Sequence, residues 1–150
     1  MKVCIGGTFN RFHKGHKALI NKAFKVAGDN GFVFIGITVG KLIKNKKEVE
    51  SFENRKRIIE KFIKNNNFLG NVIIESINDK FGPSIFDDFD AIVVSPETKK
   101  TAKEINYKRE LLNKKALKIF EIPYVLSDDN KPISSTRIVN NEIDENGKII

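Results

Sequence analysis

The apolar positions of this chain fall into short runs and spaced stripes that alternate from one end to the other. "KVCIG" (Lys2–Gly6) is a short apolar run that stops at glycines. From Lys14 to Ala27, Leu19, Ile20, Ala23, Phe24 and Ala27 recur at helical spacing, and Gly28 ends the stripe. "FVFIGIT" (Phe32–Thr38) is nearly continuous, the pattern of a strand covered on both faces. Glu53–Lys64 carries Ile58, Ile59, Phe62 and Ile63 on one helical face. "NVIIESI" (Asn71–Ile77) reads as a third strand, Pro83–Phe89 as a short helix or turn, and "AIVVS" (Ala91–Ser95) as a fourth strand. Thr98–Asn113 reads as a helix, and "ALKIFEI" (Ala116–Ile122) as a fifth strand halted by Pro123. "ISSTRIVNNEI" (Ile133–Ile143) predicts a last helix with serine at its start, and residues 144–150 a flexible tail. The alternation predicts one α/β domain over residues 1–143: a Rossmann-like, open, parallel five-stranded sheet with helices on both faces. In such sheets ligands gather at the carboxyl ends of the strands, where the strand order reverses.

Composition narrows the setting. At 150 residues the chain can bury one core but not two comfortable ones. The longest apolar run, Phe32–Val39, is broken by Gly36 and Thr38 and is far short of a membrane span. Gly6 and Gly7 interrupt any signal-peptide core near the start. A cytoplasmic protein without a membrane partner is therefore expected. The single cysteine, Cys4, excludes an internal disulfide, fits a reducing compartment, and reads as a small core residue. The net charge of +8 points to a polyanionic partner, either nucleic acid, an anionic surface or a small phosphorylated molecule. With no tryptophan and 2 tyrosines, the chain lacks the aromatic-and-basic strip that stacks single strands, so no specific nucleic acid is expected. Composition leaves the oligomeric state open.

Chemistry concentrates in "GGTFNRFHKGHKALI" (Gly6–Ile20). Glycines at a strand end let the backbone turn sharply and approach a ligand. The free N–H groups and dipole at the following helix entrance favour an anion. His13 and His16, the only 2 histidines, stand three apart and lie on one side of that entrance. A zinc site needs at least a third ligand, and no further histidine exists, so no metal is assigned to the pair. A competing reading makes both ordinary polar residues at a helix start.

The residues Gly7, Thr8, Phe9, His13, Gly15 and His16 match the "GGTF-x-x-x-H-x-G-H" signature. On these the chain resembles the nucleotidyltransferase superfamily that includes the cytidylyltransferases and phosphopantetheine adenylyltransferases. Where that signature usually has aspartate, this chain has Asn10. A second motif, "ISSTR" (Ile133–Arg137), is similar to the superfamily's C-terminal ISSTxxR-type run. Between them, "INDKFGP" (Ile77–Pro83) and "VVSPETKKTAKEINYKR" (Val93–Arg109) resemble the archaeal phosphopantetheine adenylyltransferases and the matching domain of eukaryotic coenzyme A synthase.

That resemblance implies transfer of AMP from ATP, accompanied by Mg²⁺, to 4′-phosphopantetheine, giving dephospho-coenzyme A and pyrophosphate. It implies that His16 donates to the α-phosphate and that His13 binds phosphate nearby. Gly7, Thr8 and Phe9 would contact the phosphate in transfer. A lysine of the loop after the second strand, Lys41 or Lys44, would neutralise the same charge. Ser134, Ser135 and Thr136 would hold the β- and γ-phosphates, with Arg137 adding charge. Glu97, Asn106 and Arg109 would contact adenosine or phosphate, with a surface ion pair as the competing role for Glu97 and Arg109. Arg55 and Asp79 are further polar candidates. The rival readings are a relative acting on glycerol-3-phosphate with CTP, or on FMN or NMN with ATP, and a non-catalytic nucleotide- or nucleic-acid-binding protein.

Overall fold

The structure, a computed structural model, describes residues 1–150. Five strands form one sheet: β1 (Lys2–Gly7), β2 (Phe32–Thr38), β3 (Asn71–Ile77), β4 (Ala91–Val94) and β5 (Lys118–Glu121). The order is β3-β2-β1-β4-β5 and every pair is parallel. β1 therefore lies at the centre, and the order reverses between β1 and β4. The main helices are α1 (Lys14–Ala27), α2 (Phe52–Asn65) and α3 (Lys99–Leu111), with a short α4 (Ser135–Val139) and 3₁₀ turns at Gly40–Ile43 and Gly82–Ser84.

The period of two along the strands sorts their side chains into two cores. Val3, Ile5, Val33, Ile35, Ile37, Ala91 and Val93 pack with Ile20, Ala23 and Phe24 of α1 and Ile59 of α2. Cys4, Phe34, Ile92 and Val94 point the other way and pack with Ala102 and Ile105 of α3. Helices thus cover both faces, as the continuous apolar runs of β1, β2 and β4 require. Each buried Val, Ile or Phe among these side chains contributes roughly 1.5–3 kcal/mol relative to exposure. α1 stops at Gly28, whose φ of +83° an L side chain rarely adopts and whose N–H still bonds Phe24 O.

The C-terminal region departs from the pattern-based expectation. The last helix ends at Val139 rather than near Ile143, because Asn140 caps it and Asn141 adopts a φ of +59°. Residues 144–150, expected to be a loose tail, fold back as a bonded turn. Glu145 O accepts from Lys14 N–H, Gly147 O accepts from Asp128 N–H, and Ile149 bridges the fully buried Ile143.

Candidate active site

A cavity of about 650 Å³ opens at the carboxyl ends of the strands, where the strand order reverses. Its walls come from the β1–α1 turn, the loop after β2, residues 77–84 after β3, the Ser95–Thr98 turn after β4, residues 122–125 after β5, and α4. Its lining includes the apolar cluster of Phe34, Ile77, Phe81, Ile92 and Ile105, and the β1–α1 turn contributes polar groups.

At the entrance to α1 the two histidines complete each other's caps. His13 is the N-cap, and its Nδ1 accepts from Gly15 N–H at 3.0 Å. His16 Nδ1 accepts from His13 N–H at 3.2 Å. This is the geometry of a capping box, with imidazoles in place of hydroxyl and carboxylate. The rings stack with centroids 3.7 Å apart, and His16 also rests against Phe9 and Phe12. Gly15 makes the arrangement possible, since a Cβ there would lie 2.9 Å from His13 Cε1.

The caps dictate the protonation of both rings. A nitrogen that accepts from a backbone N–H carries no proton, so each neutral ring holds its proton on Nε2. Neither Nε2 has a partner in the protein and no buried side-chain nitrogen or oxygen is left unpaired, so both reach the open cavity. Burial pushes the His13 imidazole down to about 4. Burial, with His13 and Lys46 adding to it, holds His16 well below the usual imidazole value. At neutral pH the site therefore offers two uncharged N–H donors, not two cations.

Positive charge comes instead from Lys46. Its Nζ donates to Thr8 Oγ1 at 2.6 Å, and Thr8 Oγ1 lies 2.8 Å from Thr38 Oγ1. Partial burial pushes the Lys46 ammonium below its ordinary range; Glu97 opposes that push and Arg55 adds to it. Arg55, 1% exposed, donates from Nη1 to the carbonyls of Thr8 and Thr38 and from Nε to that of Glu50. It fastens the carboxyl ends of β1 and β2 to the start of α2. Phe9 is buried with a φ of +52°, a conformation held by the packing around it.

The third wall is α4. Ser134 Oγ accepts from Arg137 N–H as the N-cap, and Ser135 Oγ donates to Asn10 O. Ser134, Ser135 and Thr136 all line the cavity, as do Gly7, Thr8, Phe9, His13, His16 and Glu97.

Five residues expected in the site stand elsewhere. Lys41 and Lys44 are exposed on the 3₁₀ turn and its end, outside the cavity; the loop returns over the β1–α1 turn only at Asn45–Val49, which brings in Lys46. Asn106 spends its amide on both main-chain groups of Leu117. Arg109, 2% exposed, donates to the carbonyls of Ser84, Ile85, Asp87 and Lys115. Arg137 pairs with Asp129 at 2.6 Å and with Glu142, and bonds Ser127 and Pro132. These last three are anchors of the scaffold. Lys46 and Thr38 were not singled out from the sequence. Lys46 sat in the same lysine cluster as Lys41 and Lys44, and only the loop's path separates them.

Burial pushes the Cys4 thiol up to about 12, so no thiolate nucleophile stands at the cavity wall. No group of three or more His, Cys, Asp or Glu side chains converges in the structure, and Glu97 is the one acidic residue on the cavity wall. No helix is long and apolar enough to cross a membrane.

Comparison with known proteins agrees with this geometry. The family described as cytidylyltransferase-like matches residues 4–141. The phosphopantetheine adenylyltransferase of Methanosarcina acetivorans is 44% identical, over 99% of this chain and 95% of that protein. The protein of that name from Archaeoglobus fulgidus is 38% identical, over 100% of both chains. Among solved structures, a protein described as of unknown function from Archaeoglobus fulgidus superposes with a TM-score of 0.72 at 34% identity, covering 81% of this chain and 89% of that one. The chain belongs to the cytidylyltransferase-like family, on the branch that holds these archaeal phosphopantetheine adenylyltransferases.

Proposed function

We propose that this protein transfers AMP from ATP to 4′-phosphopantetheine, releasing pyrophosphate and forming dephospho-coenzyme A. The observation that carries the reading is the paired imidazole box at the α1 entrance, facing Lys46 and α4 across one cavity. The relatives named for this activity, matched over nearly their whole length, supply the acceptor.

A phosphate oxygen of phosphopantetheine attacks the α-phosphorus of ATP in line. The new O–P bond forms as the bond to the β-phosphate bridging oxygen breaks, and that electron pair leaves with pyrophosphate. The nucleophile is already an anion, so no strong base is needed; two polyanions must be aligned and the growing charge absorbed. In this reading His16 Nε2–H donates to the α-phosphate and His13 Nε2–H to a neighbouring phosphate oxygen. The two neutral donors are fixed by their backbone caps before substrate arrives, so no reorganisation is required in the transition state. Lys46 turns from Thr8 Oγ1 to the phosphate in transfer, and Thr8 with the N–H groups around Gly7 and Phe9 follows it. Ser134, Ser135 and Thr136 lie along the β- and γ-phosphates, and Glu97 lies beside the nucleoside. With Glu97 as its one carboxylate, the cavity wall has no cage for a cation, so Mg²⁺ accompanying ATP would be held largely by the phosphates and would supply charge neutralisation there. The apolar cluster in the cavity lining suits the pantetheine arm.

Pyrophosphate release over a panel of pairs tests the reading. Turnover is expected with ATP and 4′-phosphopantetheine. The reading is overturned if that pair is silent while CTP with glycerol-3-phosphate, or ATP with FMN or NMN, reacts. His16→Ala is expected to lower kcat by about 10²–10³-fold, the loss seen when one preorganised donor is removed. An unchanged kcat would remove His16 from the chemistry.

A further inference from the structure

We infer that Asn10 is a positioning residue for the adenylyl transfer proposed above, a neutral clasp that sets the reach of Lys46 and ties it to α4. Asn10 is 4% exposed and makes a hydrogen bond at each end of its side-chain amide. Its Nδ2 donates to Glu48 O at 3.2 Å, and its Oδ1 accepts from Glu50 N–H at 3.0 Å. Its own carbonyl accepts from Ser135 Oγ. One residue thereby joins the glycine turn, the loop after β2 and the C-terminal serine motif, which are far apart in sequence.

The middle of the loop has few ties of its own. From Lys47 to Val49 no main-chain group bonds another main-chain group. The neighbouring ties come from side chains: an Arg11–Glu48 pair at 3.7 Å, both largely exposed, Arg11 N–H to Glu50 Oε1 at 3.0 Å, and at the loop's end Arg55 Nε to Glu50 O at 2.8 Å and Asn54 Nδ2 to Glu50 Oε2 at 2.7 Å. Segments 8–11 and 46–50 run side by side in the same direction, so the Asn10–Glu48 contact fixes where Lys46, two residues earlier, meets Thr8. Arg11 and Glu48 both hold φ near +50°, a conformation that persists only where the surroundings over-determine it.

The clasp needs an amide. An ionised aspartate accepts only, and would set lone pairs against the Glu48 carbonyl. It would also add a negative charge against the loop that carries Lys46, drawing on the charge that the phosphates require. In this chain Asn10 fixes the loop through hydrogen bonds and leaves the ammonium without a counter-ion at that turn.

Two measurements on the full chain test the inference. In the first, trypsin cleavage after Lys44, Lys46 and Lys47 is followed by mass spectrometry. Asn10→Asp and Asn10→Ala are each expected to raise cleavage there about tenfold, in keeping with loss of the clasp's hydrogen bonds, while the global unfolding transition moves little. Unchanged cleavage in both variants would overturn the clasp. In the second, Asn10→Asp is combined with Lys46→Ala. Asn10→Asp is expected to lower kcat about tenfold beside Lys46 and by less than about twofold beside alanine, because its effect acts through that lysine. Equal losses in both backgrounds would make Asn10 a merely structural residue and overturn the inference. No turnover by the unaltered chain would strike the adenylyl-transfer reading, and the cleavage arm would still judge the clasp.

Discussion

A lysine two positions away on a loop separates the expected site from the one the residues build. Lys41, Lys44 and Lys46 are chemically identical, yet only Lys46 touches Thr8. Lys46→Ala is expected to lower kcat/KM by at least about tenfold, and Lys41→Ala or Lys44→Ala to change it by less than about twofold, as exposed surface substitutions do. Steady-state kinetics on the three variants checks this. The histidines make a second prediction, on stability. His13 sits near 6.5 when unfolded and about 4 when folded, because burial disfavours its charge. The unfolded chain therefore binds the extra proton between those values. Its contribution is fully present above pH 6.5, declines as pH falls toward about 4, and is worth roughly 3 kcal/mol across that window. Urea unfolding as a function of pH should show the decline. The slope should be shallower in His13→Asn, whose side-chain oxygen caps the helix without titrating.

At the scale of the element, α3 is the instructive case. Asn106 and Arg109 stand three apart on one helical face, and the family resemblance implies ligand contacts for both. That face turns inward. Asn106 pairs with Leu117 ahead of β5, and Arg109 gathers carbonyls from the 84–87 turn and Lys115. Arg109→Met should therefore act on stability, costing about 3 kcal/mol by leaving buried carbonyls unpaired. Urea unfolding measures the loss, and KM for ATP in the folded variant should stay near that of the unaltered chain. α1 shows the converse. Its amphipathic stripe, its start near Lys14 and its stop at Gly28 all follow from side-chain spacing and from glycine's freedom at positive φ.

For the whole molecule, the sheet order sets the site by bringing the ends of β1, β2 and β4 together with α4 over one cavity. Residues 144–150 belong to that assembly through Glu145, Gly147 and Ile149, and so support α1's entrance and the loop before α4. Removing them is expected to lower the melting temperature by several degrees, since a loss of about 1–2 kcal/mol moves a domain of this size by roughly 2–8 °C. A thermal melt of the shortened chain checks it.

Local patterning determined the parallel sheet, its five strands, the three main helices, and the glycine–histidine turn with its matching serine run. Each is written in periodicities of two and 3.6 or in contiguous motifs, and such signals act over a few residues. What tertiary structure alone decided are the long-range partners. It chose Lys46 from a cluster of like charges, because the loop returns over the turn only there. It turned Asn106, Arg109 and Arg137 into scaffold, since a buried polar group must be paired wherever the chain happens to offer a carbonyl or carboxylate. It gave Asn10, the residue that breaks the usual signature, two backbone partners some forty positions away that only an amide can satisfy together.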